Sequence, residues 1–494
     1  MPLRVVIVHY HLRPGGVTRV IENVVRALAP HDVETLVITG EPYEGDALTA
    51  SPELGGFQGV RVQAGLRYTQ PNERPAASAI AYDLQSMARN VFGTDPDLFH
   101  VHNHSLGKNN GFPDAVRRIV QNIPVLFQIH DFAEDGRPHN YQSMLPHLAS
   151  PDALYPMGPQ AHYALLNRRD QQILSEAGVP ESRLHYLPNS VAVPVETPVP
   201  DGERAKVREA LLGLGEECLT VYPTRGIRRK NLGEMLFWSA VAEKGSVFAS
   251  SLSPANPREQ PIHDDWVRFA EAHGLPARFG VGHQEGVRFP ALLAAADWTL
   301  TTSVAEGFGL AYLEPFLADR VILGRDLEDI TADFKQAGVS LEHLYRRLDV
   351  PVEWIGLDTL HATVAGKLET FYQDYACPLP ADATERALQS MVQDAKVDFG
   401  RLDESFQKKA IEAAIADKGA RIKPLPEPQI ASAELCRANA ALIRESYSLD
   451  AHGRLLHALY QHVAQSVKAP LQALDPAAVL RGFLQPERFN LLRA

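Results

Sequence analysis

The chain of 494 residues is poor in cysteine: Cys218, Cys377 and Cys436 stand far apart, odd in number and outside any CxxC pair. That argues against a disulfide framework or a zinc site, and it fits a reducing cytoplasm. Long hydrophobic runs are missing too. The N-terminal VVIVHY is too short for a signal-peptide core. No stretch approaches the roughly 18 apolar residues of a spanning helix. Positive charge is in deficit, with 48 Lys and Arg against 60 Asp and Glu and a formal net charge of −12. A general nucleic-acid binder would show the opposite balance, and this one gives no wholesale attraction to anionic membranes. No repeat of short period occurs. The glycine turn in HLRPGGVTRV lacks the GxGxxG spacing of a dinucleotide-binding loop, which argues against a dehydrogenase.

What is present is a strand–helix rhythm. The composition, 45% hydrophobic and 22% charged, is that of a globular protein, and the length calls for at least two domains. VVIVHY (5–10) reads as a buried parallel strand, and Val17, Val20, Ile21, Val24, Val25 and Leu28 follow at helical spacing. VETLVITG (33–40), DLFHVH (97–102), VLFQIHD (125–131) and RLHYLPNS (183–190) are further strands. A proline-rich stretch, 191–204, reads as a linker. LTVYPTRG (219–226) opens a second series, which runs through DWTLTTS (297–303) and RVILGR (320–325). The expected class is α/β, with two Rossmann-like doubly wound parallel-sheet domains facing a cleft, 1–190 and 205–445. Within the second, 326–435 is irregular and mainly helical. Helices over 446–494 are expected to cross back onto the first domain.

Two motifs of the second half carry chemistry. EGFGLAYLE (306–314) follows a strand and reads as the start of a helix that would carry Glu306 and Glu314 on one side. Gly307 and Gly309 let backbone approach a ligand, and a helix start suits phosphate. A carboxylate there accepts hydrogen bonds from hydroxyls, so the pattern wants a nucleotide sugar. TRGIRRKN (224–231) offers Arg225 and Lys230 as a diphosphate clamp, against the plainer reading of a solvated basic loop that also holds Arg228 and Arg229. In the first half, Gly15 and Gly16 open a helix start to the same phosphate.

Taken together, VVIVHYHLRPGGVTRVIENVVRAL, QIHD, LPNS, TRGIRRKN, SVAEGFGLAYLE and YSLDAHGRLLHALY resemble the retaining glycosyltransferases of the GT-B fold, the family-4-like group of mannosyl- and glucosyltransferases and sucrose-phosphate synthase relatives. The likeness covers residues 1 to about 325 and again about 440 to 465. After Glu314 the chain departs from it: EPFLADRVILGR has no Gly-x-Pro-Val turn. The resemblance implies that Glu306 contacts donor hydroxyls and Glu314 the ribose. Arg225 and Lys230 would bind the diphosphate with the amides around Phe308, Gly309 and Leu310, while Gly16 faces the leaving phosphate and His130 lies near sugar and acceptor. His130 is equally readable as a satisfied strand-end residue. It implies no cofactor and no metal, the nucleoside-diphosphate sugar being a co-substrate.

HVHNH (100–104) would put His100, His102 and His104 on one strand face, where three imidazoles can hold zinc, but a structural or acceptor-lining role suits them better. After His130 comes DFAEDGRPHNY, dense in Asp131, Glu134, Asp135, Arg137, His139 and Tyr141. It reads as an acceptor loop or an exposed one, with Arg13 and Lys108 at other strand ends adding to it. The expectation is therefore a retaining, metal-independent hexosyltransferase. It would take glucose or mannose from a UDP- or GDP-sugar to a small hydroxylated acceptor, an anionic one being an option. It would be cytoplasmic, with no nucleic-acid partner and no membrane span, and compatible with a homo-oligomer. An epimerase or phosphorylase of the same fold, a lipid or polysaccharide glycosyltransferase, and a non-catalytic sugar-nucleotide sensor remain open.

Overall fold

Short β-branched runs alternating with amphipathic helices give two parallel sheets. The computed structural model describes residues 1–49, 53–150, 153–191, 199–212, 218–284 and 287–493. The chain divides into two units, Met1–Ala192 with Gln373–Cys377 and Glu445–Gln485, and Val193–Tyr372 with Pro378–Arg444 and Pro486–Ala494. Each holds one doubly wound sheet, as expected for the α/β class.

In the first unit the strands are β1 (Leu3–His9), β2 (Val33–Thr39), β3 (Phe57–Val62), β4 (Leu98–His102), β5 (Val125–Ile129), β6 (Ala161–Leu165) and β7 (Leu184–Tyr186). Their order is β3-β2-β1-β4-β5-β6-β7, every pair parallel. Strand order reverses between β1 and β4, which places a crevice at their carboxyl ends. Val20, Ile21, Val24, Val25 and Leu28 of helix Gly16–Leu28 join β1 and β2 in one core, and Leu456, Tyr460 and Val463 of helix Leu449–Ala464 complete it. At Gly453 the second helix comes so close to the Ala27 carbonyl that a Cβ has no room.

The second unit has β8 (Cys218–Arg225), β9 (Ser246–Leu252), β10 (Ala277–Arg278), β11 (Trp298–Thr301) and β12 (Ile322–Gly324), ordered β10-β9-β8-β11-β12 and all parallel. Its order reverses between β8 and β11. The divergent segment 326–435 is not only helical. It adds an antiparallel sheet, β13 (Asp349–Pro351), β14 (Val392–Gln393) and β15 (Lys396–Asp398), ordered β13-β15-β14.

Two boundary expectations change. Residues 192–198 of the linker lie outside the described residues, and its end is the start of helix Asp201–Leu211. The return to the first unit stops at Gln485, because the last residues are spent on the second unit. There Arg228 Nη2 donates to the Leu491 carbonyl at 3.2 Å and Arg401 Nε to that of Phe489 at 3.1 Å. Among the described residues no helix is long and apolar enough to cross a membrane.

Candidate active site

The β8–β11 switch point gathers charge. A 3-10 turn, Arg228–Lys230, follows β8, and Asn231 leaves it in the left-handed region at φ 53. Asparagine tolerates that conformation better than most residues. The exit of β11 is stitched onto this turn: Thr302 Oγ1 donates to the carbonyls of Lys230 and Asn231 at 3.1 and 2.9 Å, and the Val304 N–H to that of Arg229 at 2.9 Å. Glu306 is thereby delivered to two cations. Its Oε2 accepts from Arg229 Nη1 at 2.9 Å, and its Oε1 from Lys230 Nζ. The Glu306 side chain is 8% exposed and that of Lys230 14%. Burial alone would raise the Glu306 carboxyl; Lys230 and then Arg229 outweigh it and hold the pKa at about 2. Burial moves the Lys230 ammonium down, with Glu306 opposing.

The motif that closes the site is not a helix. Gly309 sits at φ 92, a 3-10 turn covers Leu310–Tyr312, and a four-residue helix begins only at Glu314. Glu306 and Glu314 therefore do not share a helix face. The Phe308 side chain is buried against Phe334, with ring centroids at 5.3 Å. Arg225, at the end of β8, is exposed and donates from Nη1 to the Ser253 carbonyl at 3.1 Å. Arg229, which the motif does not single out, shares Glu306 with Lys230. Arg228, its neighbour of identical type, is held by Glu404 at 2.7 and 3.0 Å.

In the first unit the β1–β4 switch point is lined by histidines. His130, just after β5, is buried; its Nε2 lies 2.8 Å from His102 Nδ1, and the rings stack at 5.1 Å and 9°. Burial pushes the His130 pKa down to about 4, opposed by Asp131, so the ring is neutral at physiological pH. Asn103, left-handed at φ 54, accepts the N–H of His130 at 2.7 Å and of Asp131 at 3.2 Å on its Oδ1. It positions the two residues, and nothing in the sequence reading singled it out. His104 lies beyond the end of β4 and bonds the Leu154 carbonyl at 2.7 Å, so the expected row of three histidines on one strand does not form. At the start of helix Gly16–Leu28 no side chain caps the turn, and a Cβ on Gly16 would meet nothing within 4 Å. Gly15, the residue before it, is in extended backbone.

The acceptor candidates split. Arg13 is exposed and forks onto Glu41 at 2.7 and 2.6 Å. Lys108 reaches Asn140 at 3.3 Å and stands 5.6 Å from the Tyr68 ring centroid. Tyr68, which the sequence reading passed over, also meets His11 at 4.8 Å. His139 is exposed. Arg137 stitches its own loop, donating to Asp131 Oδ1 at 2.5 Å and to the carbonyls of Phe132 and Asp135 at 3.1 and 3.2 Å. Asp135 stands 3.8 Å from Arg169. Two expectations are corrected. Tyr141 is buried against Tyr375, and Glu134, which follows the buried Phe132 and Ala133 into the interior, is wholly buried and accepts from Tyr155 Oη at 2.9 Å.

Burial lifts the Glu134 carboxyl to about 7, the Tyr155 bond opposing. A carboxyl raised in the folded state binds a proton that the unfolded chain has already released. Stability is then full below about 4.5 and falls as pH rises through about 7. Glu134→Gln is expected to raise the melting temperature at pH 8 and change it little at pH 4.5. Roughly 3 kcal/mol is at stake. Melting curves across that window check it; a variant that tracks the native protein at every pH refutes it.

Two doubly wound parallel sheets, each with polar side chains gathered where strand order reverses, are the fold of the GT-B glycosyltransferases. Residues 14–193 match the family described as Glycosyltransferase Family 4. The chain thus resembles that family over most of its first unit. A mannosylglucosyl-3-phosphoglycerate synthase from Petrotoga mobilis is 28% identical over 342 residues, 67% of this chain and 66% of the relative, just under two thirds of the relative's length. Anabaena HepE, in complex with UDP-glucose, shares the fold with a TM-score of 0.55 at 12% identity, over 93% of this chain and 99% of its own. Sucrose-phosphate synthase from Thermosynechococcus elongatus does so with 0.53 at 14%, over 93% and 99%.

Proposed function

We propose that the chain transfers a hexose, glucose or mannose, from a nucleoside-diphosphate sugar to a small hydroxylated acceptor that bears an anionic group, with retention at the anomeric carbon. The observation that carries this reading is the pairing of Lys230 and Arg229 with Glu306 at a strand-order switch point. Two cations against one carboxylate leave net positive charge, and exposed Arg225 adds to it; that suits a diphosphate. Glu306, held ionised, accepts hydrogen bonds from donor hydroxyls, and Glu314 is assigned to the ribose. The uncapped helix start at Gly15 and Gly16 is offered to phosphate.

In the transfer, the bond from the anomeric carbon to the diphosphate oxygen breaks and the bond to the acceptor oxygen forms on the same face. The leaving phosphate takes the acceptor's proton. Lys230 and Arg229 stabilise the charge that develops there, which is the work a metal would otherwise do. His130, neutral, serves as a hydrogen-bond partner rather than a cation. An anionic acceptor is supported by Lys108, beyond the end of β4, and by the phosphoglycerate in the name of the Petrotoga relative. A cytoplasmic setting is supported by three free cysteines.

Melting curves with UDP-glucose, GDP-mannose and ADP-glucose, all in EDTA, test the donor site. A ligand at 100 times its Kd adds about 2.7 kcal/mol of stability. One diphosphate sugar is expected to stabilise the protein, with the effect lost in Arg225→Ala and Glu314→Ala. No shift with any of them sinks the reading.

A further inference from the structure

Apart from the strand ends, three histidines converge, two from consecutive strands and one from a helix far along the chain. His162 lies in β6, His185 in β7 and His462 near the end of helix Leu449–Ala464. One ligand nitrogen from each falls within 4.8 Å of the others. His162 Nδ1 and His185 Nε2 are 2.8 Å apart, with the rings stacked at 5.1 Å and 18°. The His462 ring stands edge-on to both, at 5.3 and 5.9 Å. His162 is buried, His185 half-buried and His462 exposed, so the cluster opens to solvent on one side.

The other nitrogen of His162, Nε2, is 2.8 Å from Ser466 Oγ and 3.1 Å from Arg183 Nη1. A guanidinium only donates, so Nε2 accepts and Nδ1 carries the proton it gives to His185. That leaves one proton between two neutral imidazoles, with a third imidazole beside them.

We infer that His162, His185 and His462 form a binding site for a divalent transition-metal ion of the zinc class. The ion would take the place of the shared proton. Zinc–nitrogen bonds of about 2.0–2.1 Å in tetrahedral geometry need ligand nitrogens roughly 3.4 Å apart. The stacked pair opens slightly, and His462, exposed on its helix, swings in. The proton of His162 moves to Nε2, where Ser466 Oγ accepts it and Arg183, half-exposed, withdraws. Water completes the fourth position. Imidazole ligands select zinc, copper, nickel or cobalt over magnesium and calcium. The ion would clip the helix that closes the first unit's core to β6 and the edge strand β7. It lies on different residues from those assigned to sugar transfer.

The test uses the full chain, stripped with chelator and dialysed. Melting is followed with zinc, cobalt or magnesium chloride, together with the visible spectrum of the cobalt form. Zinc and cobalt are expected to raise the melting temperature and magnesium not. Cobalt should give the intense absorption of a tetrahedral nitrogen site at one equivalent. His462→Ala, an exposed position, should melt like the metal-free native chain, lose the zinc-induced rise and bind cobalt at least tenfold more weakly. An absent zinc effect, or one of equal size in His462→Ala, overturns the site. Should His462→Ala fail to fold, His185→Asn is read by the same cobalt titration.

Discussion

Arg325→Met is expected to cost the second unit about 3–5 kcal/mol, the usual loss when one member of a buried ion cluster is removed. Arg325 is 5% exposed and lies between Glu234 at 0% and Asp398 at 6%. Its Nη2 donates to both, at 2.7 and 2.8 Å, and Nη1 reaches Asp398 again at 3.0 Å. Tyr345 Oη adds a bond to Glu234 at 2.7 Å. The carboxylates respond differently. Burial pushes Glu234 up despite Arg325, whereas at Asp398 burial is overridden by Arg325, with Arg347 and Arg401 adding to it, and the group is held down. Asp398 is therefore the costlier orphan. Urea unfolding of Arg325→Met beside the triple variant that adds Glu234→Gln and Asp398→Asn checks the cause. The triple variant removes all three charges of the cluster and should recover part of the loss. A single variant as stable as the native chain would remove the cluster from the account of this unit's stability.

Lys230→Met is expected to lower the proposed transfer rate by about 10²–10³, the scale of losing one preorganised donor to a developing anion. It also leaves Glu306 with Arg229 alone, so the Glu306 carboxyl should move up from about 2. The control is the next-but-one residue. Arg228 belongs to the same turn but pairs with Glu404, so Arg228→Met should cost stability and leave the rate within a few-fold. Initial rates at saturating donor separate the two. Equal loss in both variants would mean that the shape of the turn matters and the Lys230 charge does not.

The strands rich in Val and Ile were legible because burial on both faces of a parallel sheet demands such runs. β3 (FQGVRV), helix Ala77–Phe92 and β6 (AHYAL) were not. Their patterns are short or mixed, and tertiary packing decides them. EGFGLAYLE reads as helix by spacing, yet Gly309 in the left-handed region and Pro315 after Glu314 confine the helix to its end. The pairing of Glu306 with Lys230 spans 76 residues and depends on β8 lying beside β11, which no local pattern states. Nor could residue type tell Arg229 from Arg228; the difference is which carboxylate each faces. The three histidines of the inferred metal site were invisible for the same reason. His185 lies 23 residues after His162, and His462 belongs to another stretch of the chain.

The helix that carries Gly453, Leu456 and Tyr460 has a consequence for how the chain is made. A ribosome that has released residues 1 to 191 has delivered every strand of the first sheet but not the helix that covers one side of its core. That unit must wait, with apolar surface uncovered, while the whole of β8 to β15 is synthesised. Contacts of such long sequence separation slow folding and prolong exposure to aggregation. The second unit's parallel sheet is continuous in sequence and can form meanwhile, although its last residues come after that helix. The unit whose strands are made first is therefore not complete until nearly the whole chain has emerged, and the second unit closes only with residues 486–494 after it.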